Sequence, residues 1–132
     1  MYFMGQGILE VHVMEEPSMA PLEGARIVLR DLDGKVLHEF VSDANGRVPP
    51  MTLEAPDVAL TLDPNYTGTP FSLFNMEATK DGFHSMLYRY IEVFDTQTSI
   101  QPVIMHRATP DEIARGIKIE HTIDIGSRRP SP

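Results

Sequence analysis

Between Gly7 and Met14, Leu9, Val11 and Val13 share one parity while Glu10 and His12 take the other, the period-two alternation of a half-buried strand. The pattern returns after a proline-bounded loop from Glu15 to Pro21, with Ala25, Ile27 and Leu29 facing one way and Arg26 and Arg30 the other. Asp33-Gly34 turns the chain into Lys35–Val41, and Ser42-Asp43-Ala44-Asn45-Gly46-Arg47 turns it again, because Asn and Gly tolerate the positive φ of tight hairpin turns. Turns at that spacing leave no length for a helix, so the N-terminal region is expected to be a β-meander.

Further along, Pro49 and Pro50 cannot donate to a ladder and make Arg47–Leu53 an edge or interrupted strand. Val58–Leu62 alternates and is expected as a strand ending at Asp63-Pro64, followed by a polar loop over Asn65–Pro70. Phe74, Met76 and Ala78 are in register within Phe71–Lys80, and Asp81-Gly82 is a turn signal. Phe83–Phe94, dense in β-branched and aromatic residues, is the longest strand candidate, and Ser99–Met105 is the last of the core, its Pro102 pointing to an edge. Leu9, Val11, Val13, Ala25, Ile27 and Leu29 are the expected core, with Met51, Met76, Met86 and Met105 filling it.

After Met105 the character changes. Thr109 is placed to cap a helix of one or two turns, with Pro110 at its first position, Glu112 closing a capping box and Gly116 ending it. Ile117, Ile119, His121, Ile123 and Ile125 then share one parity, and Arg128–Pro132 is a tail. The pattern predicts an all-β antiparallel sandwich of about seven strands over residues 1–107. A short C-terminal helix-strand extension over 108–132 is expected to act as an assembly arm, docking on an edge of its own sandwich or of a neighbouring subunit.

Composition narrows this picture. A chain of 132 residues is one domain able to bury a sizeable core without a staple, and its lack of cysteine removes thiol catalysis, disulfides and thiolate zinc sites. A formal charge of −8, with only 11 Lys and Arg, argues against nucleic acid as a partner. The 11 prolines and 9 glycines fit short strands and turns rather than a helical bundle. Met1–Gly7 has no basic stretch, and the apolar run after it is broken by Glu10 and His12, so neither a signal peptide nor a membrane span is expected; the compartment is left undecided, cytoplasmic or spore-associated only if Met1 is the native start.

Pro21-Leu22-Glu23-Gly24-Ala25-Arg26-Ile27, Ser42-Asp43-Ala44-Asn45-Gly46 and Asp81-Gly82-Phe83 occur in the order of a "P-x-x-G-A-x-V" strand, a "T-D-x-x-G" turn and a "G-[YF]" preceding a late strand. From Gly7 to Met105 the chain thereby resembles the carboxypeptidase-regulatory-like, prealbumin-like (transthyretin-like) β-sandwich family, which implies an Ig-like sandwich. Leu53–Leu62, Pro70-Phe71-Ser72-Leu73, Lys80–Phe83, Glu92-Val93-Phe94 and Ser99–Met105 are also similar to the N-terminal module of clostridial spore-cortex-lytic and other peptidoglycan-hydrolase-related proteins. That resemblance implies a free-standing relative of a non-catalytic module, with cell-wall or sporulation activity belonging to a partner.

Enzymatic chemistry has one candidate. His12-Val13 and Asn45-Gly46-Arg47 look like two features of hydroxyisourate hydrolases, whose chemistry needs imidazoles and a guanidinium to activate water and stabilise an oxyanion. The late "H-x-H" strand and terminal "Y-R-G-S" of that family are missing; Tyr88-Arg89-Tyr90 is interior. His12, His38, His84, His106 and His121 include no H-x-H or H-x3-H pair, so they are expected as scattered surface residues rather than metal ligands. Asp31, Asp33 and Asp43 lack the other oxygens of a calcium loop and suit turns. The first strand carries no lysine for an intramolecular isopeptide, Lys35 and Lys80 lying at turns, and neither a nucleophile elbow nor a phosphate loop occurs. Tyr2, Phe3, Tyr66, Phe71 and Tyr88 are candidates for an exposed recognition face, of use to a carbohydrate or peptidoglycan binder. The expectation is a binding or assembly module with no catalytic residue, no cofactor and no metal, self-associating or engaging a protein partner through edge strands and the C-terminal arm.

Overall fold

The computed structural model describes residues 4–65, 68–116 and 119–125. Most alternating runs bracketed by turn chemistry form strands, and the strands of the described residues are β1 (Met4–Glu15), β2 (Ala20–Pro21), β3 (Arg26–Arg30), β4 (Val36–Val41), β5 (Met51–Pro56), β6 (Ser72–Thr79), β7 (Ser85–Val93), β8 (Thr98–Met105) and β9 (Glu120–Asp124). Two short helices accompany them, α1 (Val58–Thr61) and α2 (Pro110–Ala114). Among the described residues, and setting aside the two-residue β2 and the appended β9, seven strands make the sandwich.

In the first sheet β1 is central. It runs antiparallel to β5 over Met4–Leu9 and to β2 at Met14–Glu15, and parallel to β8 from Ile8 to Glu15. The second sheet has the order β4-β3-β6-β7-β9, antiparallel except for the parallel pair β7–β9. These two parallel pairs make both sheets mixed within the expected, largely antiparallel sandwich. Tight turns impose antiparallel pairing only on the strands they join, and no hairpin links β1 to β8 or β7 to β9.

Leu9, Val11, Val13, Ala25, Ile27 and Leu29 are all buried, as are Met51, Met76, Met86 and Met105, so the predicted parity and the methionine filling both hold. The turn glycines Gly34 and Gly46 take positive φ of 93° and 74°. Ser42 is the notable polar residue inside: its hydroxyl donates to the Leu22 carbonyl at 2.7 Å and accepts from the Ala25 amide at 2.9 Å. It ties the strand before the turn to the start of β3.

One expected strand is a helix. Val58–Leu62 begins with the single turn α1, because Asp57 Oδ1 accepts from the Ala59 amide at 2.7 Å and Asp95 Oδ2 from the Val58 amide at 2.8 Å. Those carboxylates satisfy amides that a strand would offer to a neighbour. A second correction concerns the aromatics: Tyr88 is buried, not part of a recognition face, and its hydroxyl accepts from the Ile104 amide on β8 at 3.4 Å. Phe71 is partly buried, while Tyr2, Phe3, Tyr66, Ile117 and the Arg128–Pro132 tail lie outside the described residues. Among those residues, no helix is long and apolar enough to cross a membrane.

Candidate functional site

Asp43 Oδ1 accepts from the Asn45 and Arg47 amides at 2.9 and 3.0 Å, and the Gly46 carbonyl accepts from the Val13 amide at 2.7 Å. The turn is thereby folded onto β1, and His12 and Arg47 form an antiparallel bridge. The two hydrolase-like features of the sequence do meet, on the face of the first sheet opposite the core residues Val11 and Val13. His12 Nε2 is buried without a hydrogen bond, its closest carboxylate oxygen being Glu10 Oε1 at 3.6 Å. On the other side of β1, β8 sets Pro102 opposite His12 and Ile100 opposite Glu10, so it supplies no imidazole here.

A different group gathers where the C-terminal extension meets the sandwich. The His84 amide donates to the His106 carbonyl at 2.9 Å, and the Ala108 amide to the Gly82 carbonyl at 2.8 Å, which brings the chain after β8 alongside the start of β7. The Arg107 guanidinium covers the Phe83 ring, 5.0 Å from its centroid. α2 starts as the sequence predicts, with Thr109 as N-cap and Glu112 closing the capping box. β9 then pairs with β7, setting His121 opposite Met86.

Three of the five histidines therefore meet, against the expectation that they are scattered. His84 Nδ1 lies 3.0 Å from His121 Nε2, although 37 residues separate them in the chain. His84 Nε2 lies 3.1 Å from Glu112 Oε1, both side chains being more than four-fifths buried. The His106 ring stands 5.5 Å from that of His121, and its Nδ1 pairs with Glu16 Oε2 at 2.5 Å. His38 stays apart, stacked on Phe40 in β4.

Hydrogen-bond direction follows from the carboxylate. Glu112 accepts from the Thr109 amide at 2.7 Å and from His84, and these bonds, the Thr109 amide first, hold its carboxyl below the usual carboxylate range. An ionised Glu112 makes His84 Nε2 the donor, and in the neutral tautomer that this selects, Nδ1 is the acceptor for His121 Nε2–H. Beside His84 opens a cleft of about 660 Å³ between the sandwich and the extension, lined by Arg26, Lys80, Phe83 and Ile113 among others. Glu77 and Asp81 line it as well, so the cleft carries both signs of charge.

One signal of this cluster stands in the sequence: His121 interrupts a row of isoleucines, and a polar residue on an otherwise apolar parity calls for a polar partner. Nothing local says that the partner is His84. The aspartates keep their turn role, Asp31 Oδ1 accepting from the Asp33 and Lys35 amides, both at 2.9 Å. Among the described residues, no group of three or more His, Asp or Glu side chains is placed to hold a metal ion as it stands.

No protein-family model matches the chain, and no curated protein sequence matches it. Solved structures show the fold. The chain is similar to a minor pilin of Streptococcus agalactiae, GBS52, at a TM-score of 0.56 and 10% identity, over 80% of this chain and 46% of the pilin. It thus spans about half the length of that protein. Catechol 1,2-dioxygenase from Acinetobacter sp. ADP1 is similar at a TM-score of 0.55 and 10% identity, over 92% of this chain and 59% of the enzyme. The 5-hydroxyisourate hydrolase of Klebsiella pneumoniae reaches 0.50 at 16% identity, over 78% of this chain and 92% of the hydrolase. The architecture is accordingly a prealbumin-like β-sandwich. Identities this low speak of fold alone, since unrelated activities share such sandwiches.

Proposed function

We propose that this chain is a non-catalytic module that binds a protein strand, its own or a partner's, at an open sheet edge. The observation that carries the reading is β4. It ends the second sheet, pairs only with β3 among the described residues, and leaves Val36 and Val41 exposed. An unpaired edge offers a row of main-chain donors and acceptors, with alternate side chains available for selectivity. The resemblance of Leu53–Leu62, Pro70–Leu73, Lys80–Phe83, Glu92–Phe94 and Ser99–Met105 to a module of peptidoglycan-hydrolase-related proteins favours a partner in cell-wall or spore-cortex processing.

The competing reading is a hydrolase built on His12 and Arg47. Pro102 and Ile100 disfavour it, because water activation and oxyanion stabilisation there have one imidazole between them. Two measurements test the choice. Light scattering across a concentration series is expected to show association that Val36→Lys with Val41→Lys weakens, and 5-hydroxyisourate is expected to decay no faster with the protein than without it. A monomer at every concentration, with turnover abolished by His12→Ala, would overturn the proposal.

A further inference from the structure

The His84–His121 contact has the makings of a metal chelate. Two imidazole nitrogens 3.0 Å apart share one proton. Glu112 already decides one side of that contact: by accepting from His84 Nε2–H at 3.1 Å it leaves the Nδ1 lone pair of His84 directed at His121. Moving the His121 proton from Nε2 to Nδ1 then leaves two lone pairs facing each other across that gap, and a tilt of the two rings turns both toward an ion beside the line that joins the nitrogens. At metal–nitrogen distances of about 2.0–2.1 Å, nitrogens with that separation subtend roughly 91–97° at the ion, close to the angle of a cis pair in tetragonal or octahedral coordination.

We propose that His84 Nδ1 and His121 Nε2 form a two-nitrogen chelate for a borderline divalent transition-metal ion, Cu²⁺ or Ni²⁺ before Zn²⁺, with water completing the coordination. Neutral imidazole suits all three ions, and a near-right angle favours the first two. The surroundings are those of a metal-ligating histidine, whose second ring nitrogen donates to a carboxylate that fixes its tautomer and orientation. Glu112 is itself held by the capping box of α2, through the Thr109 amide at 2.7 Å and the Thr109 hydroxyl, which accepts from the Glu112 amide at 3.2 Å. His106, oriented by Glu16, stands beside the pair without joining it.

The ligands also lie on different parts of the fold. His84 leads into β7 of the sandwich, whereas His121 and the orienting Glu112 belong to the C-terminal extension. A bound ion would therefore clip the extension to the sheet, and thermal stability would rise with free metal as binding to the folded state requires.

The full-length protein, stripped with a chelator, is titrated with Cu²⁺ and with Ni²⁺ by calorimetry, and the copper complex is examined by electron paramagnetic resonance. One ion per chain is expected, with hyperfine structure from two nitrogens. His84→Ala and His121→Ala are each expected to weaken binding at least tenfold, and Glu112→Gln, which keeps both ligands, by about 10- to 100-fold; His38→Ala should leave it unchanged. If either alanine variant fails to fold in the presence of chelator, substoichiometric Cu²⁺ added to the wild-type protein should broaden the imidazole resonances of His84 and His121 before those of the other histidines. Binding that survives the loss of both residues, broadening that starts at His12 or His38, or no binding at all overturns the proposal.

Discussion

Ser42→Ala isolates one buried hydroxyl and the two strands it joins. Ser42 is 3% exposed, and its Oγ serves two main-chain groups that are themselves inside, the Ala25 amide and the Leu22 carbonyl. The substitution removes one atom and leaves no room for a water to take both bonds, so each group loses its partner. An unsatisfied buried group costs about 1–3 kcal/mol, the carbonyl at the lower end because it retains a second lone pair, which gives a loss of roughly 2–4 kcal/mol. Urea unfolding followed by circular dichroism measures it, and the slope with denaturant should stay constant if the denatured state is unchanged. Ser18→Ala is the control: Ser18 Oγ also accepts from an amide, that of Ala20 at 3.2 Å, but at an exposed position, so its effect should stay within about 0.5 kcal/mol. A loss at Ser42 no larger than the control's would refute the claim that this hydroxyl ties the turn to β3.

At Gly46 a Cβ would sit against the Val13 carbonyl oxygen as well as in left-handed backbone, whereas Gly34 has the same backbone strain and open space. Gly46→Ala should therefore destabilise by more than the roughly 1–2 kcal/mol that left-handed backbone alone costs Gly34→Ala, and equal losses in chemical denaturation would contradict the close approach. Burial raises the pKa of Tyr88 above the ordinary tyrosine value, with the Ile104 hydrogen bond a smaller opposing effect. Its contribution to stability is then complete below the unfolded value of about 10 and is lost as pH rises through the folded one, so alkaline spectrophotometric titration should show a late tyrosine step absent from Tyr88→Phe. Removing residues 108–132 takes β9 from the edge of β7; light scattering should then show increased association through the bared edge, while a smaller assembly would mean that the extension bridges subunits.

Much of this fold is local and therefore legible along the chain. Leu9, Val11 and Val13 share a face because side chains alternate, Gly34 and Gly46 mark turns because L-residues resist positive φ, and Thr109 with Glu112 announces α2 because a capping box needs only four consecutive residues. Val58–Leu62 shows the limit of such signals. Five residues of alternation fit a strand, but the Val58 amide is taken by Asp95, a residue 37 positions away that no local pattern connects to it.

The candidate site lies wholly beyond that limit. Its sequence signal amounts to one histidine in a row of isoleucines, while its geometry depends on the parallel pairing of β9 with β7 and on the chain after β8 lying beside the start of β7. Residue spacing determined the strands, the turns and the inward faces, because those follow from the backbone period and from local sterics. Only the tertiary structure decided that His84, His106, His121 and Glu112 would meet, because strand order and direction are set by burying whole faces against one another, and that energy belongs to no short segment of the chain.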